Sequence, residues 1–449
     1  MKKTILITSL LAALMLCSCN ENNPVNNVID DIVNPDNQQD TPEEPIIRGT
    51  GIIDRIFNRQ DPAPLRLAPS TNQMGYAQIG ADFAQNLFNK LCLTAPAGEN
   101  VCISPLSLEI ALGMLANGVE KEACTEMLDI IAGKGVTTDS LNAWYYKLRG
   151  ALEATNCVRL ANALWTQTNY PINPDFIAVN QTYYDAEVGN LDFTKTQEAK
   201  DSICQWAYDH TYGNIRDLNL PIKENTKMVL ANATWFGANW ADPFEEEFTT
   251  QATFTLTSGS EQTVDMMNKA SWVKYEERPS HQIIELPFGI FEKKEYYGEI
   301  YEECVDLPFS MIVALPKEGY TAIDILADID WNISQYAYGT LHLPKFDFKT
   351  TNKLIDPIKE LGINKLFRAD ALSGINPELF VSFINQDVSV RIDEQGAEMA
   401  AVTTIGADNE GIPDFDFDFN ANHPFVFAVR DNASHNILFI GKVESIEES

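Results

Sequence analysis

The chain is short of the residues that catalysis most often recruits. Its 449 residues include only five histidines: His210, His281, His342, His423 and His435. None stands in a His-Glu-x-x-His pair, and neither a Gly-x-Ser-x-Gly elbow nor a phosphate loop occurs, so the common hydrolase and nucleotide scaffolds are missing. Adjacent acids such as Asp393 and Glu394 remain for acid–base work, but in so acidic a chain they read as solvated surface. No catalytic residue, metal site or cofactor is expected. Positive charge is also scarce: 32 Lys and Arg face 64 Asp and Glu, a net charge of −32 that argues against a nucleic-acid partner. Cysteine is sparse and dispersed. Cys92, Cys102, Cys124, Cys157, Cys204 and Cys304 include no Cys-x-x-Cys pair, which suits neither a zinc site nor a small disulfide scaffold. An even count in an exported chain permits disulfides, while Cys102, inside the apolar VCIS, reads as core packing.

What is present begins with MKKTILITSLLAALMLCSC, a basic start and an apolar run too short to span a bilayer. It reads as a signal peptide over residues 1–18. Its end, LCSC, resembles a bacterial lipoprotein box in which Cys19 becomes the acylated first residue. An ordinary secretory signal with a chance cysteine is the alternative. Loss of Lys2 and Lys3 leaves 30 basic against 64 acidic residues, or −34. Two acyl chains on Cys19 would provide the double signal that stable anchoring needs. Residues 19–72 are rich in Asn, Asp, Glu and Pro, with too little apolar content to fold alone. They predict a flexible tether with a root-mean-square span of roughly 40 Å, placing the protein on a bacterial membrane at the cell surface or in the periplasm.

Beyond the tether, SPLSLEIALGMLANGV predicts a helix, with Ser104 as N-cap, Pro105 in the first turn and Leu108, Leu112 and Leu115 on one face. Lys227–Phe236 and Phe309–Pro316 are near-continuous apolar runs, read as strands buried on both faces of a helix-covered sheet. No internal repeat or second linker appears. A single α+β domain over residues 73–449 is the economical organisation.

Near the C-terminus, DEQGAEMAAVTTIGADNEGIPDF joins small and β-branched residues to a Gly, Pro and acid stretch. Strand-forming side chains run into what reads as an exposed loop. On a two-residue period Ala397, Met399, Ala401, Thr403 and Ile405 share one face, and Glu398, Ala400, Val402 and Thr404 the other. If Glu398 lies on the solvent side, no charge has to be buried when this stretch becomes a strand.

Several segments point to one family. NVCISPLSLEIALGMLANG resembles the helix-B signature of serpins. LANALWTQTNYPINPDFIAVNQTYYDAEVGNLDF, VLANATWFGANWADPF, LHLPKFDFKTTNKLIDPIKELGI and FNANHPFVFAVRD are similar to serpin segments, in serpin order, from about Tyr76 to Val443. The resemblance implies a large central, mostly antiparallel sheet with covering helices, smaller sheets and an exposed reactive loop over about residues 394–418. It implies a monomeric inhibitor of a serine or cysteine protease. The protease cuts the loop, which then inserts as a new strand while the acyl-enzyme persists. A serpin fold that no longer inhibits is the rival.

The same resemblance makes Glu394, Gly396, Ala397, Glu398, Met399, Ala400 and Ala401 the hinge at which insertion starts. Met399 stands where a small residue is usual, and its bulk is expected to slow insertion. Ser104, Ser107 and Asn232 match the polar cluster beneath the sheet, Gln386 stands where many members carry His, and Trp240 matches the tryptophan where the hinge meets the sheet. Glutamine cannot titrate, so a pH gate is not expected there. Gly289–Asp306 lies where serpins have a short turn, and reads as a contact surface or, by preference, a solvated hairpin extension.

Counting from the hinge puts the reactive bond between Glu410 and Gly411, and counting back from His423–Phe425 puts it after Pro413. The hinge count is preferred, because insertion depends on that length and proline fixes φ. The window from Ile405 to Phe415 contains no Lys or Arg, so a trypsin-like enzyme lacks its basic partner. An acid-specific protease would cut after Asp408 or Glu410. An elastase-like or broad enzyme, which is favoured, or a cysteine protease, would cut next to Ile405, Ala407 or Ile412.

Overall fold

A computed structural model describes residues 71–215, 217–296, 299–397 and 415–446. Helices come first in the chain: α1 (Thr71–Thr94), α2 (Pro105–Ala116), α3 (Lys121–Ile131) and α4 (Thr138–Glu153), with strand β1 (Val101–Ile103) between the first two. Nearly every residue of α2 is buried, as in a helix that is apolar all round and lies inside a core. Pro105 occupies its first turn as expected. Ser104 holds the N-cap position, but its hydroxyl makes no capping bond, which departs from the expected cap. The hydroxyl lies instead at the edge of the cavity described below.

Next come β2 (Val158–Gln167), α5 (Pro174–Tyr184), β3 (Glu187–Leu191), α6 (Thr196–His210) and β4 (Met228–Phe236), which runs almost directly into β5 (Ala238–Trp240). The middle of the chain forms β6 (Thr250–Thr255), β7 (Glu261–Glu277), β8 (His281–Tyr296), β9 (Glu299–Pro316), β10 (Tyr336–Pro344) and β11 (Phe346–Lys353). After α7 (Ile355–Glu360) come β12 (Asn385–Ile392), the two-residue β13 (Gly396–Ala397), β14 (Phe417–Asn420), β15 (Phe425–Asp431) and β16 (Ile437–Val443).

Among the described residues the strands form an eleven-stranded sheet and two small ones. The large sheet runs β1-β16-β15-β9-β8-β7-β10-β14, with β6 on β7 and with β5 joining β8 to β13. It is antiparallel except for the β10–β14 pair. β15 and β16 are buried along their whole length, and Phe309–Pro316 of β9, between β8 and β15, is buried on both faces as its composition predicts.

The other apolar run departs from expectation. In β4, Val229, Ala233 and Trp235 are buried, while residues between them are only partly covered. β4 pairs with β2 along one edge, in the three-stranded sheet β3-β2-β4. Composition reports how apolar a strand is, but not how many of its edges are occupied.

Gly289–Asp306 extends the β8–β9 hairpin. Pairing continues past a bulge at Gly289 from Ile290↔Asp306 to Tyr296↔Glu299, with Ile300 and Tyr301 exposed.

Candidate functional site

The site is a gap. Among the described residues no backbone ladder joins β4 of the three-stranded sheet to β12 of the two-stranded sheet β11-β12. Between them lies a cavity of about 230 Å³, bordered by both strands, by Ser104 and Ser107 of the α2 end, and by Ala397. The segment between α6 and β4 lies against the same cavity through Thr211, Ile215, Leu218 and Leu220. It is tied to β12, where the Asn219 N–H donates to Asp387 Oδ2 (2.9 Å) and Asn385 Nδ2 donates to the Asn219 carbonyl (2.8 Å).

Polar groups gather at the middle of the gap. Gln386 accepts from the Ser104 N–H (2.9 Å) and donates to the Ser104 carbonyl (2.8 Å), joining β12 to the start of α2. On the β4 side the Ser107 hydroxyl donates to Asn232 Oδ1, and Asn232 Nδ2 donates to Asn162 Oδ1 at 2.6 Å. Asn162 in turn reaches the Tyr184 carbonyl at 2.8 Å. The structure thus brings together Ser104, Ser107, Asn232 and Gln386. It adds Asn162, which the sequence reading passed over. A signal was available: β2 and β4 both contain Leu-Ala-Asn-Ala-x-Trp, and their asparagines are register partners. One group is left over. The Ser104 hydroxyl is buried at the edge of the cavity and has no hydrogen-bond partner among the described residues, a costly arrangement for a polar group.

Gly396 and Ala397, from the stretch expected to form the hinge, lie at one end of the gap. Asp393 and Gly396 exchange backbone hydrogen bonds of 3.0 and 3.2 Å, turning the chain out of β12. β13 then pairs antiparallel with β5, Gly396 opposite Asn239 and Ala397 opposite Ala238. Gly396 has φ +143°, and a Cβ there would overlap the Ala238 carbonyl oxygen and stand 2.9 Å from Asn239 Cα, so the position requires glycine. Ala397 is buried in the main core.

Trp240 and Glu394 lock this corner. The Trp240 indole stacks on Phe288 at 4.4 Å and donates to the Asp393 carbonyl at 3.0 Å, and its backbone N–H donates to the Gln395 carbonyl at 2.8 Å. Glu394 is buried, which by itself raises its pKa, but Lys345 at 2.9 Å and the Thr249 hydroxyl at 2.8 Å outweigh this and hold the carboxyl below its ordinary value. Sequence reading named Glu394 but neither Lys345 nor Thr249, which lie far away in the chain. Glu398, Met399, Ala400 and Ala401 lie outside the described residues, as do Ile405, Ala407, Asp408, Glu410, Gly411 and Ile412. The chain is described again from Phe415, whose ring stacks on Tyr338 at 5.6 Å.

Two small sheets that stand apart at β4 and β12, with the chain turning out of β12 onto β5 at one end of the gap, define a class of protein by architecture. Comparison with known proteins narrows the class to a family. Residues 78–446 match the profile of the family described as Serpin (serine protease inhibitor), and the chain belongs to it. An uncharacterized serpin-like protein of Methanosarcina mazei is 30% identical over 84% of this chain and 89% of its own. The leukocyte elastase inhibitor of Sus scrofa is 31% identical over 81% of this chain and 97% of its own. Among solved structures, the thermophilic serpin tengpin in its native state superposes with a TM-score of 0.72 at 24% identity, over 89% of this chain and all of that one. Human thyroxine-binding globulin complexed with thyroxine superposes at 0.71 and 23% identity, over 84% of this chain and all of that one. The last two likenesses concern the fold.

Proposed function

We propose that this serpin inhibits a serine or cysteine protease as a suicide substrate, from a lipid-anchored position outside the cytoplasm. The observation that carries the reading is the pair β4 and β12, unjoined among the described residues, with Gly396 and Ala397 paired on β5 at one end. The protease nucleophile attacks the carbonyl carbon before the scissile bond, forming an ester or thioester. The amine of the next residue leaves as a new N-terminus. The loop, still bonded to the protease, inserts between β4 and β12 before water reaches the acyl bond.

The registers at the hinge support one inserted geometry. Carried along β4, the β13–β5 register sets Thr403 opposite Asn232. Carried along β12, the Asp393–Gly396 turn independently sets Thr403 opposite Gln386. A threonine hydroxyl arriving there would meet the polar cluster and supply a partner for the Ser104 hydroxyl. Because Ala397 faces the core, Met399, Ala401, Thr403 and Ile405 follow it inward and Glu398 stays outside. Small apolar residues on both sides of the loop acids favour an elastase-like or broad protease. The LCSC box and polar tether favour anchoring through acylated Cys19 in a bacterial envelope.

The test is incubation with a panel of serine and cysteine proteases followed by denaturing gels. Covalent complexes are expected, with a released fragment that begins within residues 406–416. Cleavage without any complex, across the whole panel, would favour the non-inhibitory rival.

A further inference from the structure

The hairpin extension from Gly289 to Asp306 has no part in the inhibitory mechanism. Its two strands pair with each other from Ile290↔Asp306 to Tyr296↔Glu299. Their neighbours stop short of it: β5 pairs with β8 no further than Gly289, and β15 with β9 no further than Phe309. Among the described residues the ribbon is therefore two strands wide with both edges open, and a ribbon so narrow is marginally stable in water. The edges differ. That of β8 carries Lys293 and Lys294, the residue type with which proteins blunt an edge, whereas residues 300–305 of β9 include neither lysine nor proline. Ile300 is 73% exposed there and Tyr301 47%.

The chain holds a segment suited to the open edge. Residues 20–45 contain no Lys or Arg, but GIIDRIFNR at residues 51–59 carries Arg55 and Arg59 beside Ile52, Ile53, Ile56 and Phe57. These are strand-forming side chains in a stretch too short to fold alone, and they lie outside the described residues. Set antiparallel to β9, one register places Ile53, Arg55 and Phe57 opposite Val305, Glu303 and Tyr301, which gives an apolar, a charged and an aromatic pair on a single face. Slipping it by one residue either sets Asp54 against Glu303, two like charges, or moves Arg55 off Glu303 onto Cys304. Reach is sufficient. Phe57 stands fourteen residues before Thr71, the start of α1, a span of at most roughly 50 Å against a radius of gyration of about 21 Å for a domain of this size.

We propose that residues 52–57 of the tether dock on β9 as the third strand of the ribbon, through backbone hydrogen bonds along its open edge and the Arg55–Glu303 pair. The ribbon starts close to Gly396: that glycine is opposite Asn239 on β5, and Asn239 is opposite Gly289 on β8, two strand spacings or roughly 10 Å in all. A tether fastened there sets the direction in which the reactive loop faces the anchor. That consequence rests on the anchored-inhibitor reading above, whereas the docking itself does not require it.

Hydrogen exchange of the full chain tests the docking without membrane or protease. Amides of residues 52–57 and 300–305 are expected to exchange at least about tenfold more slowly than in the Arg55→Glu and Glu303→Arg variants, with protection restored when the two substitutions are combined. A second readout uses a thiol already present. In this register residue 54 stands opposite Cys304, so Asp54→Cys should form a 54–304 disulfide under oxidised glutathione, found by mass spectrometry of a non-reduced digest, and Asp61→Cys should not. Unprotected amides at residues 52–57 of the parent, or equal bridging from positions 54 and 61, would overturn the proposal. Ribbon protection that depends on protein concentration and survives Arg55→Glu would overturn it too, since a second copy would then cover the edge. Protease trapping on denaturing gels is scored separately, so the loss of either reading leaves the other standing.

Discussion

Gly396→Val should turn the protein from trap to substrate. At φ +143° a side chain costs about 1–3 kcal/mol. The Cβ also overlaps the Ala238 carbonyl and stands 3.0 Å from the Trp240 nitrogen, so the paired backbone must shift as well. Before cleavage the chain has an escape, because β13 is two residues long and can leave β5 to relieve the strain. After insertion there is none, because the segment is held on both edges. The strain therefore falls mainly on the inserted state and the barrier leading to it. A total of about 3 kcal/mol slows insertion roughly 150-fold, so hydrolysis of the acyl bond overtakes it. The assay is titration of a trapped protease, with the stoichiometry of inhibition rising from near one to above about ten and cleaved protein replacing complex on the gel. A valine variant that traps at the parent stoichiometry would refute the assigned hinge.

Further outcomes are expected at four places. Ala397→Arg drives a charged chain into the core at the first inserted position, and complex formation on gels should give way to cleavage. Proteolytic nicking of the loop should raise the thermal midpoint by more than roughly 10 °C, since an inserted strand is paired along both edges; calorimetry of cut and intact protein reads this directly. Glu109 is buried on α2 and pushed up to about 8 by burial, opposed by the Tyr145 hydroxyl at 3.3 Å. The folded state therefore holds a proton there that the unfolded chain releases above its ordinary value of 4.5, so stability falls between about pH 4.5 and 8 and levels off above that. Glu109→Gln should flatten this decline, seen as a denaturant midpoint that gains on the parent as pH rises from 4 to 8. Finally, Cys19→Ala should move the protein from the membrane fraction to the soluble one with inhibition intact, as fractionation and a protease assay would show.

Much of this protein was legible in its residues. Apolar spacing identified the buried helix α2, and the uninterrupted Phe309–Pro316 run identified a strand covered on both faces, because burial is written into side-chain chemistry. The two-residue period after Gly396 sorted the residues into two faces, and Ala397, the last described residue of that stretch, is buried in the core. The resemblance of ordered segments placed the family.

Tertiary structure decided which edges meet. β4 is as apolar as a central strand, yet among the described residues it pairs only with β2, and that fact depends on where β12 stands, some 150 residues later in the chain. Side-chain period reports the faces of a strand, whereas the hydrogen bonds along its edges come from a backbone that every residue shares. For the same reason the Lys345 and Thr249 contacts to Glu394 and the orphaned Ser104 hydroxyl emerged only when distant segments were brought together. The sequence determined which stretch carries strand-forming side chains, and the fold decided that β4 and β12 stand apart with a cavity between them.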